Sequence, residues 1–188
     1  MKTTDIQQFR QADHDIDPIY INRWSPRSFL DKDVPEDVLL RVFEAARWAP
    51  SSGNIQPWRF ILARTKEDRE TFHSFVMDGN RKWCERAPVL TLIISDKETA
   101  THAFDAGTAW GYLSLQAAKE GLITHGMAGF YKDKARELLN IPDEFDIQAL
   151  IAIGYQGEKD ILDQELQERE KPSDRRPVQD SLMEGSFQ

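Results

Sequence analysis

Arg23, Ser25 and Arg27 alternate along the stretch NRWSPRSF. Pro26 biases Ser25 toward an extended conformation, and in extended chain residues two apart point the same way. Two guanidinium forks and a hydroxyl then face one point. Such a set suits a phosphate monoester, whose oxygens take charge-assisted, bidentate bonds from arginine. Two solvated surface arginines would carry the same letters.

A second concentration of hydrogen-bonding groups is RWAPSSGNIQPWRF, Arg47 to Phe60. Asn54 and Gln56 each donate and accept, as a heterocycle with alternating carbonyls and ring nitrogens requires. Ser51, Ser52 and the backbone freed by Gly53 add donors at close approach. The competing reading is a helix cap followed by a turn, with Trp48 and Trp58 filling core. In HGMAGFY the small residues Gly126, Ala128 and Gly129 would let backbone N–H groups approach a flat ligand; a tight strand ending is the alternative. Arg175 and Arg176, in DRRP, form on their own only a basic pair in a polar tail.

Other chemistries lack their frames. A lone cysteine, Cys84, excludes an intrachain disulfide and any CxxC site, so redox chemistry needs a bound cofactor. Neither GxGxxG nor GxxxxGK[ST] occurs, and a cofactor phosphate must be held by side chains. No GxSxG elbow supports a serine hydrolase. His102 with Asp105, and Asp13-His14-Asp15, have no metal-site spacing around them, and no metal is expected. Thirty-two acidic against 24 basic residues give a net charge of -8, which disfavours nucleic acid and anionic membrane as partners. The N-terminus has no apolar signal core and no run is long enough to cross a bilayer, so a cytoplasmic protein is expected.

The elements that must position these groups follow from periodicity. The 188 residues suit a single domain. Val38, Leu39, Val42, Phe43 and Ala46 recur at helical spacing between Pro35 and Pro50. RFILAR reads as a strand, and TKEDRETFHSFVM as a helix with Thr65 as N-cap. APVLTLIISD reads as a central strand covered on both faces. The alanine-rich stretch from about Thr99 to Glu120 is a helix, apolar nearly all round and closed by Gly121, either central or packed on a second subunit. THGMAGF reads as a link, KDKARELLN as a helix, and IQALIAIGYQG as a buried strand. Residues 1–17 are polar and leave a helix and a docking arm both open, and the charged, proline-bearing tail, 158–188, cannot form a core of its own. Helices interleaved with a few strands indicate a sheet flanked by helices.

RWSPRSF followed by APSSGNIQPWRF at this separation resembles the nitroreductase family of FMN-dependent oxidoreductases. The likeness continues through APVLTLI, AAKEGL, ALIAIGYQG and the terminal RRP, over about residues 18–180. The resemblance implies an α+β fold with a mixed, mainly antiparallel sheet and an intertwined homodimer with FMN at the subunit interface. Residues 1–17 as an arm and 158–188 as a tail would then wrap the partner.

By the same resemblance Arg23, Trp24, Ser25 and Arg27 take the FMN phosphate and ribityl chain, and Arg175 and Arg176 return to the phosphate. Pro50, Ser51, Ser52 and Asn54 reach a flavin bound mainly by the other subunit, and Gln56 fits the same motif. Asn80 is the candidate for the pyrimidine edge, on a loose local match. Backbone N–H groups of Ala128 and Gly129 face flavin N5, where some relatives carry an acidic residue and this chain has alanine. Arg27 or Lys82 would strengthen the donors near the ring.

The implied activity is hydride uptake from NAD(P)H and reduction of nitroaromatics, quinones or similar flat acceptors in two steps, with no catalytic side chain beyond the cofactor. The alternatives are another flavin reaction on the same scaffold, such as dehalogenation or dehydrogenation, and a non-catalytic module that binds flavin or a phosphorylated ligand.

Overall fold

The computed structural model describes residues 6–187; residues 1–5 of the expected arm lie outside it. In chain order the regular elements are α1 (Pro18–Asn22), α2 (Glu36–Arg47), β1 (Trp58–Ala63), α3 (Lys66–His73), α4 (Asp78–Cys84) and β2 (Val89–Asp96). Then follow α5 (His102–Lys119), β3 (Ile123–Met127), α6 (Lys132–Leu138), β4 (Phe145–Gly154) and α7 (Gln164–Arg169).

The strands form one sheet in the order β1-β2-β4-β3, and every pairing among them is antiparallel. An α+β protein with an antiparallel sheet and flanking helices is therefore present. β2 is inaccessible along almost its whole length because both faces are covered. Leu90, Leu92 and Ile94 join Phe72, Phe75, Trp83 and Leu150 on one side. Val89 and Ile93 join Val42, Ala46, Ala109, Leu113 and Ile151 on the other. Strict alternation is what a strand between two layers demands, and it explains the uninterrupted apolar run.

α3 begins as its sequence requires: Thr65 accepts from the Asp68 backbone, and the Asp68 side chain accepts from the Thr65 backbone, a reciprocal cap. α5 ends at Gly121, whose φ of +73° lets the chain reverse where a Cβ would be strained. The stretch THGMAGF is not a bare link. Its first half is β3, paired with β4. The tail packs back on its own chain, placing Leu162 and Leu166 in the core. Among the described residues no helix is long and apolar enough to cross a membrane.

Candidate functional site

The segment after α1 is extended as Pro26 requires. Trp24, Pro26 and Ser28 are buried, whereas Arg23, Ser25 and Arg27 are only partly so, which places the three polar side chains on one side. Arg23 Nη1 donates to Ser25 Oγ at 3.4 Å. Contacts from the end of β4, the chain beyond it and β3 hold the segment to the rest of the protein. Phe29 bridges to Gln156, and Gly157 N donates to the Ser28 carbonyl. Ser28 Oγ donates to the Glu158 carbonyl. From β3, His125 Nδ1 donates to the Pro26 carbonyl at 2.9 Å, its ring 4.5 Å from that of Trp83. A carbonyl only accepts, so Nδ1 carries the proton. Burial pushes the His125 imidazole down to about 4, with Arg27 and Arg23 adding to the depression and the Pro26 contact opposing it. The ring is neutral at pH 7.

Two residues with no sequence signal complete this corner. Glu170, just past α7 and 7% exposed, accepts from the backbone nitrogens of Arg27 and Ser28, with Arg27 Nη1 at 3.8 Å. Arg10 donates to carbonyls of Ile21, Arg23 and Ser173. Arg10, Arg23 and Arg175 lie within one another's fields. Burial lowers the pKa of Arg23, and Arg175 lowers it further; Arg10 is lowered first by burial and then by Arg175 and Arg23. No ion pair among the described residues includes any of the three. Asp174 opposes the lowering only in part for Arg10, so the three arginines leave a local positive potential that an anion relieves. Arg10, Arg175 and Arg176, with Asp13 and Asp174, also line a cleft of about 500 Å³ between the N-terminal segment and the tail.

Three and four residues beyond His125, roughly 10–13 Å along extended chain, lie Ala128 and Gly129. Asn80, on α4, donates through Nδ2 to the Gly129 carbonyl at 3.2 Å, so two separately chosen candidates meet. A Cβ on Gly129 would fall 2.4 Å from that Nδ2, and one on Gly126 3.3 Å from the Trp110 ring. Glycine is needed here for close approach. Lys82, on the same helix as Asn80, is engaged elsewhere: it pairs with Asp163 and Glu165 at 3.0 and 3.3 Å.

The hydrogen bonds of the stretch Pro50–Gln56 run within the loop, to α5, and from Arg59 on β1 to the Gln56 carbonyl. Ser52 N donates to Asp105, Gln56 N to Ser51 Oγ, and Gln56 Nε2 to the Asn54 carbonyl and side chain. Gly53, Asn54 and Gln56 all have φ between +52° and +58°. Two of these are not glycine, so the loop stores strain in a rigid, outward-facing platform. Trp58 is buried, but Trp48 is 68% exposed and donates to Glu44. Asp105 is thus a cap for this loop, and His102 bonds Ser95; among the described residues no group of His, Cys, Asp and Glu could hold a metal.

The donor set fits a flavin mononucleotide in its chemistry: guanidiniums without an ion-pair partner for a phosphate, and a neutral side-chain amide, Asn80, beside the Gly129 backbone. The nitroreductase family model matches residues 20–82 and 67–155. A solved structure described as an oxidoreductase containing FMN is 44% identical, covers 95% of this chain and 96% of its own, and superposes with a TM-score of 0.92. An NADH dehydrogenase of Thermus thermophilus is 28% identical over 177 residues, covering 74% of this chain and 85% of the relative. An iodotyrosine deiodinase of Thermotoga neapolitana is 26% identical over 159 residues, covering 71% and 84%. With the model matching most of its length, the chain belongs to the nitroreductase family.

Proposed function

We propose that this chain is an FMN-dependent oxidoreductase that takes hydride from NAD(P)H and reduces nitroaromatics, quinones or other flat acceptors. The observation that carries the reading is the cluster of Arg10, Arg23 and Arg175 without an ion-pair partner, set at one end of a path that leads along β3 to Gly129. The name of the 44% identical structure, an oxidoreductase containing FMN, supports it.

FMN, when bound, supplies the hydride and electron transfer between two substrates that use its open face in turn. In this reading Arg23, Ser25, Arg27, Arg175 and Arg176 hold the phosphate, and Trp24 contributes main chain, its ring being buried. Asn80 and the backbone N–H groups of Ala128 and Gly129 face the ring. They are neutral donors, which stabilise negative charge developing on a ligand edge without exchanging a proton. His125 is neutral at pH 7 and holds the backbone in place, so no side chain here is assigned an acid's task.

Pro50, Ser51, Ser52, Asn54 and Gln56 project from the chain that carries them, and they serve the flavin of a second copy. An outer face of α5 supports that pairing: Ala103, Phe104 and Gly107 are exposed, Phe104 by 78%, and a Cβ at Gly107 or Gly111 would meet nothing within 4 Å. In this reading the 188 residues act as one cytoplasmic domain, with residues 1–17 and 158–188 also touching the partner.

The iodotyrosine deiodinase among the relatives supports a second reading in which the same cofactor serves reductive dehalogenation. The deciding experiment is an anaerobic titration of purified protein with NADPH and NADH, followed in the visible, and then exposure to a nitroaromatic, a quinone or an iodophenol. Bleaching that a nitroaromatic or quinone reverses supports the first reading. Reversal by iodophenol alone supports the second, and protein that retains no flavin overturns both.

A further inference from the structure

The N-terminal segment gives no motif, yet one of its side chains reaches three distant carbonyls. Arg10 Nη1 donates to the Ile21 carbonyl at 2.8 Å and the Arg23 carbonyl at 2.7 Å, while Nε donates to the Ser173 carbonyl at 2.7 Å. The first two lie at the end of α1, where last-turn carbonyls have no partner within the helix. The third is two residues ahead of Arg175, whose own Nη1 bonds Ser173 Oγ at 3.1 Å and approaches the same carbonyl at 3.4 Å. One planar fork therefore spans the chain that carries Arg23 and the chain that carries Arg175.

We propose that Arg10 is a positioning residue of the anion site: it ties the end of α1 to the tail, and so holds together the two segments that carry Arg23 and Arg175. The inference rests on the phosphate-binding reading given above. Like charges resist this arrangement. Arg175 depresses both Arg10 and Arg23, and Asp174 offsets this only partly. Without a tether the exposed tail would carry Arg175 away from Arg23. Hydrogen bonds to carbonyls supply the tether without neutralising the charge, which a carboxylate in the same place would do. Geometry also selects the residue type. Arginine aims Nε and Nη1 in fixed directions from one plane, whereas lysine offers one point of charge. A second tie reinforces the junction, because Val178 N donates to Asp13 in the same N-terminal segment at 2.8 Å.

The test compares FMN with riboflavin, which lacks the phosphate, in the full-length wild type, Arg10→Ala and Arg10→Lys. Dissociation constants come from flavin fluorescence, and amide exchange is followed at residues 173–176. The wild type should prefer FMN. Both variants should lose about tenfold in FMN affinity while riboflavin affinity changes by less than about twofold. Exchange in the tail should rise in both. Restoration of FMN affinity by Arg10→Lys overturns the inference, since charge alone would then suffice. Unchanged FMN affinity in Arg10→Ala overturns it as well. Should Arg10→Ala not fold, Arg10→Lys decides alone. A wild type that fails to distinguish FMN from riboflavin overturns the phosphate reading itself, a result visible before any variant is made.

Discussion

One oxygen of the Glu170 carboxylate accepts from Arg27 N at 2.8 Å and from Ser28 N at 2.9 Å, joining chain segments about 140 residues apart. Both amides belong to the segment that presents Arg23, Ser25 and Arg27. Truncation in Glu170→Ala leaves them without an acceptor, at a cost of about 2–4 kcal/mol. Glu170→Gln keeps one acceptor oxygen for both amides but turns an NH2 toward Arg27 N, where the second carboxylate oxygen now accepts at 3.0 Å, and should lose about 1–2 kcal/mol, less than the alanine variant. Urea unfolding of the three proteins checks the order.

His125 gives the protein an acid-sensitive joint. Its folded pKa of about 4 lies below the usual value of 6.5, because burial disfavours the imidazolium. The unfolded chain thus binds more protons between these values, and stability rises with pH across that window. The contribution is fully present above pH 6.5 and is lost as pH falls through about 4. A difference of this size corresponds to roughly 3 kcal/mol. His125→Phe should flatten this part of the stability profile, measured as urea midpoints at pH 4.5, 5.5 and 7, and should weaken FMN binding by freeing the Pro26 carbonyl.

Asn54 separates strain from binding. At φ +58°, asparagine is tolerated better than most residues, and its side chain also accepts from Gln56 Nε2 at 3.2 Å. Asn54→Ala should therefore cost about 1 kcal/mol, and Asn54→Gly less than about 0.5 kcal/mol. If the loop serves a flavin, both variants lose affinity for it despite their different stabilities. Paired thermal melts and flavin titrations measure the two effects independently.

Gly129→Ala inserts a Cβ where Asn80 Nδ2 now sits, at 2.4 Å. The obstructing atom is the end of a side chain, which can rotate away, so the fold should lose no more than about 1–2 kcal/mol. The hydrogen bond between Asn80 and the Gly129 carbonyl should break. A shifted flavin absorption spectrum, or loss of flavin, with a nearly unchanged melting temperature is the expected outcome.

The layers were legible because burial writes itself into spacing. β2 is covered on both faces and reads as an unbroken apolar run; α3 carries its Thr65 and Asp68 cap in plain view. β3 escaped because ITHGM has two apolar residues and a glycine, and its pairing with β4 supplies what its own letters do not. α4 escaped because seven residues, with glycine among them, make a weak helical signal. In the site, alternation around Pro26 foretold the common side of Arg23, Ser25 and Arg27. Arg10, His125 and Glu170 act through backbone atoms far away in sequence, and such contacts leave no local pattern. Lys82 was near Asn80 in sequence, but two tail carboxylates compete for its charge.

Asp105 has a double position. It fastens the Ser52 amide from the buried side of α5, and its neighbour in sequence, Phe104, lies on that helix's open face. Were a second copy to associate through this face, it would meet the loop and the helix together, and under the flavin-binding reading proposed above ligand occupancy and self-association would be thermodynamically linked, each raising the other's apparent affinity by the same factor. Dilution would then release ligand, and stripping the ligand would favour single chains.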